Sequence, residues 1–392
     1  MISFAVTEDQ EMVRETVRKF AAEEMRPRLR ELERDGVPGE LFDRFHALGL
    51  SLVDVPEALG GLGLDTFTAC LIHEELAFGD PGAAVALWAP GFVPAAVLEL
   101  AAPEQAARLL APFARSGRRR GAVAWSEAGK GPEAGFATRA RRAGDGWIVD
   151  GDKVHVVNGD GADTVIAFAQ VEGEGDGWGG AGAFVVEGAA PAAREVWLGL
   201  ETVPAAPLAV RACRAERLAG GGDVVLALRR MFARIGLATA ARQVGLARAS
   251  YEHALAFTQD RVAFGKPVAH FQAVAFTLAE MHMDVESARW MVWKAAAEFD
   301  AGAAGALEAV GRAAVHANDA AWRVADNGVQ LLGGAGFIQD FPVEKWLRDT
   351  KALALMGQSS EGHRLAVAAA AVGQPGAFGP ALPSPWIQPV VT

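Results

Sequence analysis

The chain reads as an α+β protein in three parts: an N-terminal helical domain, a middle β-barrel-like domain and a C-terminal four-helix bundle. Three observations carry that reading. Apolar residues recur at helical spacing through the first third, the period drops to two from Gly121, and helical spacing returns after Asp223. A chain of 392 residues exceeds what one hydrophobic core usually supports, so several packed units are expected. The boundaries fall at 1–120, 121–222 and 223–373, with a Pro/Gly-rich tail over 374–392.

The first helix is announced by Thr7-Glu-Asp-Gln10, a capping-box pattern, with Met12, Val13, Thr16, Val17 and Phe20 following on one face. Further helical segments continue to about residue 115. Short β-rich runs then span 122–125, 136–142, 147–150, 153–157, 163–170, 183–186 and 208–213. Gly144-Asp145-Gly146 and Asn158-Gly159 supply turns between them, and Gly220-Gly221-Gly222 closes the region. In the last part Val274, Leu278, Met281, Val285, Ala288, Val292, Ala295 and Phe299 alternate steps of four and three. So regular a stripe predicts a long helix packed nearly parallel to its neighbours, in a bundle or against a second subunit. Two more helices are expected over 307–332 and 344–354, and five prolines after Gly373 predict an extended tail.

Composition excludes several functions. The net charge is −11 and Arg118-Arg119-Arg120 is the one basic run, so no nucleic-acid footprint is visible. Cys70 and Cys213 lie far apart and fit no metal spacing, which suits a reducing compartment. The start carries no apolar signal core, and the uncharged stretches 81–98 and 365–392 are broken by proline and glycine. A cytoplasmic protein without a membrane span is therefore expected. Gly175-Asp-Gly-Trp-Gly-Gly180 matches G-x-G-x-x-G, but it lies between strands and opens no helix, so it reads as a loop. The eight histidines form no H-E-x-x-H, and no G-x-S-x-G elbow occurs.

Three segments are more informative: Arg261-Val-Ala-Phe-Gly-Lys266, Gln330-Leu-Leu-Gly-Gly-Ala-Gly-Phe337 and Pro342-Val-Glu-Lys-Trp-Leu-Arg-Asp349. With Leu59-Gly-Gly-Leu-Gly63 and Gly151-Asp-Lys153, in that order along the chain, they resemble the acyl-CoA dehydrogenase family from about Phe4 to Gly373. The resemblance implies FAD held between the β domain and the bundle, in a site completed by a second subunit of a homodimer or homotetramer. Arg261 would pair with the pyrophosphate and Phe264 would lie beside it. Gln330, Gly333 and Gly334 would let a helix end approach the adenosine side.

Several positions depart from the family pattern. Ser126 keeps a hydroxyl near the expected flavin, but Gly131-Pro132-Glu133 replaces Gly-Ser-Asp, and Pro132 brings no hydroxyl to the substrate side. In Lys153-Val-His-Val-Val-Asn158, strand alternation puts His155 and Val157 on the flavin-facing side. His155 replaces an aromatic wall and Val157 cannot donate a hydrogen bond. The stretch Met356-Gly-Gln-Ser-Ser-Glu-Gly-His-Arg364 matches a family loop whose second residue is the glutamate that removes the substrate α-proton. Here that position is Gly357, between Met356 on the substrate side and Ser359 and Glu361 on the cofactor side. A second family base position, one residue before an arginine, falls on Ala233 before Arg234, the latter expected near substrate. Neither carries a base.

Three functions remain open at this level. One is an FAD-dependent oxidoreductase on an acyl thioester, carried on CoA or a carrier protein. Another is a noncatalytic partner in a hetero-oligomer with a paralogous subunit. The third is a flavin-dependent monooxygenase or oxidase on the same fold.

Overall fold

The structure, a computed structural model, describes residues 6–88, 92–129 and 135–373. Helix α1 (Glu8–Phe20) starts on the capping box: the Gln10 N–H donates to Thr7 Oγ1 at 3.2 Å and Thr7 N–H to Gln10 Oε1 at 2.9 Å. Helices α2 (Leu29–Asp35), α3 (Gly39–Ala47), α4 (Thr66–Gly79), α5 (Pro81–Trp88), α6 (Phe92–Leu100) and α7 (Pro103–Arg115) complete the N-terminal part. Nearly every residue of α4 is buried, because it lies between α1 and the long helix α8 (Val224–Asp260). The approach is close enough that a Cβ at Gly245 would meet the Glu74 carbonyl oxygen at 2.1 Å. Glycine is what lets the two backbones touch.

Between them come β1 (Gly121–Ala124), β2 (Arg139–Ala143), β3 (Gly146–Val157), β4 (Thr164–Val171), β5 (Ala181–Val186), β6 (Ala190–Pro191) and β7 (Ala205–Arg217). The order β1-β4-β2-β3-β7-β5 closes on itself through a β4–β5 pairing, giving a barrel-like sheet. Gly177–Gly180 is a short turn joining β4 to β5. Two expected strands, 147–150 and 153–157, are one strand, β3. It pairs with β7 throughout, and the register shifts twice, between Val149 and Gly151 and between Lys153 and Val156.

The C-terminal part adds a small hairpin of β8 (Val262–Ala263) and β9 (Lys266–Pro267), then α9 (Gln272–Asp300), α10 (Ala306–Leu332), α11 (Val343–Leu353) and α12 (Ser360–Ala371). The stripe from Leu278 to Phe299 is buried against α8, α10 and α4 of the same chain. No second subunit is needed to cover it. Buried Lys345 joins the parts: its ammonium meets Asp80 at 2.8 Å and Asp349 at 2.6 Å, and Asp349 also accepts the Leu200 N–H at 2.6 Å. Among the described residues, no single helix is long and apolar enough to cross a membrane, and no group of acidic, histidine and cysteine side chains is placed to hold a metal.

Candidate active site

A cavity of about 620 Å³ opens between the β barrel and the C-terminal helices. Its barrel wall is Trp125, Ser126, His155 and Val157, and its helical wall runs through Asn318, Trp322 and the segment from Thr350 to Glu361, including Met356 and Gly357. Trp197 and Leu198 close one side from the loop between β6 and β7.

The barrel wall depends on an irregularity in β3. His155 has φ +56°, the left-handed region, at the point where the register against β7 shifts. The extra residue lets Lys153 and Val156 both point into the barrel, while His155 and Val157 line the cavity. Lys153 is fully buried and its ammonium lies 2.8 Å from Glu127. Glu127 also accepts the Thr138 N–H at 2.9 Å, the Thr138 hydroxyl at 2.7 Å and the Ala137 N–H. Burial opposes the Glu127 charge, but Lys153 and these donors outweigh it and hold the carboxyl at about 2. This pair fixes the segment carrying Ser126 to the strand carrying His155, a bond reinforced by Val154 N–H donating to the Ser126 carbonyl at 3.1 Å.

His155 is itself held from outside. Glu195 lies 2.9 Å from its Nδ1 and also accepts the Trp197 indole N–H at 2.9 Å. Burial works against the Glu195 charge, yet the Trp197 and His155 contacts keep it below the usual carboxylate range. Neither Glu195 nor Trp197 carries a sequence signal, because only the fold brings that loop to β3.

On the helical side, Gly357 has φ +76°, and a Cβ built there would lie 3.0 Å from Ile235 Cγ2. That contact corrects the sequence alignment on α8. Ala233 packs into the core between α8, α9 and α10, and the α8 side chain that faces Gly357 is Ile235, two residues on. Arg234 does not line the cavity: it donates to Glu99 at 2.6 Å and lies 3.7 Å from Asp54. Ser359 caps α12 by accepting the Gly362 N–H at 3.0 Å, and Ser360 and Glu361 reach the cavity instead. Pro132 lies outside the described residues.

Arg261, Phe264, Gln330, Gly333 and Gly334 are all exposed, and none lines this cavity. Phe264 is 97% exposed. Within one chain the site therefore consists of the barrel wall, α10 and the loop before α12.

The comparisons with known proteins agree with this arrangement. The family model described as acyl-CoA dehydrogenase, N-terminal domain, matches residues 7–117, and the one described as acyl-CoA dehydrogenase, C-terminal domain, matches 208–372. The mitochondrial short-chain specific acyl-CoA dehydrogenase of Rattus norvegicus is 31% identical over 93% of this chain and 90% of its own. The chain belongs to the acyl-CoA dehydrogenase family. A Mycobacterium tuberculosis protein named "Probable acyl-CoA dehydrogenase FadE25" is 33% identical over 89% of this chain and 91% of its own. Among solved structures, butyryl-CoA dehydrogenase from Megasphaera elsdenii superimposes with a TM-score of 0.88 at 28% identity, covering 95% of this chain and all of that one.

Acyl-CoA dehydrogenases are FAD-dependent, and this cavity fits the flat ring end of that cofactor. Its walls are aromatic, with Trp125 and Trp322 among them, and its size is ordinary for a cofactor pocket. The Ser126 side chain supplies a hydroxyl in the barrel wall, while Val157 offers only methyl groups beside it.

Proposed function

We propose that the chain is an FAD-dependent oxidoreductase of acyl thioesters in which the ordinary base for α-proton removal is missing. The observation that carries this reading is the cavity itself, where the Ser126–His155–Val157 wall faces Gly357. Trp125, Ser126, His155 and Val157 would hold the flavin ring, which when bound accepts a hydride from the substrate β-carbon. Arg261, Phe264, Gln330, Gly333 and Gly334 would reach the rest of the cofactor from a second copy. Met356, buried next to Gly357, puts an apolar side chain at the thioester end, while Trp322 and Leu355 stand on the exposed rim of the cavity. The Gly357 N–H is suited to donate to the thioester carbonyl, lowering the α-proton's pKa, but glycine cannot take that proton. Ile235, the opposing residue, cannot either.

A positioned general base is typically worth about 10²–10⁴ in rate. Desaturation of straight-chain acyl-CoA should be slower by about that factor than in an enzyme with a positioned base. The purified protein should be yellow and should bind acyl-CoA, yet bleach slowly when mixed with it anaerobically in a stopped-flow instrument. Rapid bleaching would show that another group supplies the base. A colourless protein that takes up no FAD would instead point to a noncatalytic subunit.

A further inference from the structure

Of the four side chains in the barrel wall of the cavity, Trp125, Ser126, His155 and Val157, His155 is the acid–base group. Glu195 grips it twice: Oε2 lies 2.9 Å from Nδ1, and Oε1 accepts the His155 backbone N–H at 3.3 Å. The Trp197 indole N–H donates to the same Oε2 at 2.9 Å. Burial opposes the Glu195 charge, but the Trp197 and His155 contacts outweigh it, so the carboxylate stays ionised and can only accept. The shared proton therefore sits on Nδ1, and Nε2 is left as the acceptor. The Glu195 side chain is 18% exposed and that of His155 64%, so the pair is sunk at its carboxylate end and open at its imidazole end, which lines the cavity.

Among the described residues no other charged group bonds to the imidazole. The remaining charges around the cavity come from the opposite wall: Asp319 on α10, Lys351 on α11, and Glu361 and Arg364 on α12. Arg364 is taken up by Asp319 at 2.8 Å, and the Lys351 ammonium lies over the Trp322 ring at 4.1 Å. Inside the barrel, Lys153 and Glu127 pair with each other at 2.8 Å. With a neutral imidazole the His155–Glu195 pair carries one negative charge; with a protonated one it carries none. A negative charge held against a flavin opposes the arrival of electrons there, and neutralising it removes the opposition.

Resting on the FAD reading above, we infer that His155 is a redox-linked proton acceptor beside the flavin: Glu195 holds the imidazole, and Nε2 takes a proton from solvent when the flavin is reduced. The pair thereby sets how readily the bound cofactor accepts electrons. Two electrons and one proton reach the cofactor as the hydride lost by the substrate. The further proton comes from water onto Nε2 and returns to water when an electron acceptor reoxidises the flavin. No bond between His155 and carbon forms or breaks. The aromatic residue that the family resemblance implies at position 155 can do none of this, since an indole or phenyl ring has no basic nitrogen.

The test is a spectroelectrochemical titration of the FAD-loaded protein, driven by an electrode and mediator dyes with no thioester present, from about pH 5 to about pH 9. Wild type should show a pH window in which the reduced-to-oxidised ratio at fixed potential falls about tenfold more per pH unit than in His155→Phe, as one further proton bound on reduction requires. His155→Gln, polar but unable to titrate, should lack the window as well, which separates proton uptake from packing. In Glu195→Gln the window should move to lower pH, because the anion that supports the imidazolium is gone. A wild-type curve without the window overturns the inference even if no variant folds. So does a window kept in either His155 variant, or one that stays in place in Glu195→Gln. A wild type that takes up no FAD overturns the cofactor reading and the inference with it, an outcome distinct from FAD bound without the window.

Discussion

At the scale of single residues, Gly357 is more than a position without a carboxylate. Its φ of +76° is one that a side chain adopts at a cost of about 1–2 kcal/mol, and any Cβ would press on Ile235. Glycine here is built into the loop, so restoring glutamate is not a simple reversal. Gly357→Ala should lower stability by roughly that amount, read as a drop of a few degrees in Tm. Gly357→Glu should be destabilised similarly and should recover little flavin reduction unless Ile235 is also made smaller. A Gly357→Ala protein as stable as wild type would show that the loop is free to rearrange. The glycine was visible in sequence; its strained backbone and its neighbour Ile235 were not, because both depend on how α8 meets the loop before α12.

At the scale of elements, β3 shows what periodicity reads well and where it stops. Alternation put His155 and Val157 on one face, and both do line the cavity. The pattern survives only because a bulge at His155 resets it after Lys153 and so lets a lysine enter the barrel. Sequence gave no warning of that burial, since its partner Glu127 is 26 residues away on another segment. The long helices were legible because their stripes are local, as with α9, whereas the partner of each stripe was not. The Lys153–Glu127 pair also makes a pH prediction. Glu127 has its folded value depressed to about 2, so its contribution to stability is full above the ordinary carboxylate range and is lost as pH falls toward 2. Chemical denaturation at pH 7 and pH 3 should show a loss that Glu127→Gln reduces. The same substitution should cost about 3–5 kcal/mol at pH 7, because it leaves a buried ammonium without its counter-charge. Equal acid sensitivity in the two proteins would assign the loss to other carboxylates.

At the scale of the whole molecule, the exposed apolar residues have a direction. Phe276, Met283 and Trp290 repeat every seven residues along α9, on the side away from its buried stripe. Phe264 and Val262 on the hairpin after α8, and Phe337 and Ile338 after α10, are exposed as well, on the very segments that carry Arg261, Gln330, Gly333 and Gly334. Surfaces of this kind usually mark an interface. A second copy covering them would bring Arg261, exposed and without an ion pair among the described residues, to a cofactor held in its neighbour's cavity. Assembly and cofactor binding are then one equilibrium, since a partner that completes the FAD site is favoured by FAD in proportion to its affinity. Light scattering should give a dimer or tetramer. Met283→Glu, which puts a charge in the α9 stripe, should shift the protein toward monomer and lower its FAD content together. Arg261→Ala should weaken FAD binding through loss of a charge-assisted contact while leaving the assembled mass unchanged at high protein concentration. A stable wild-type monomer carrying one FAD per chain would defeat the shared site, and Arg261 would then belong to the surface alone.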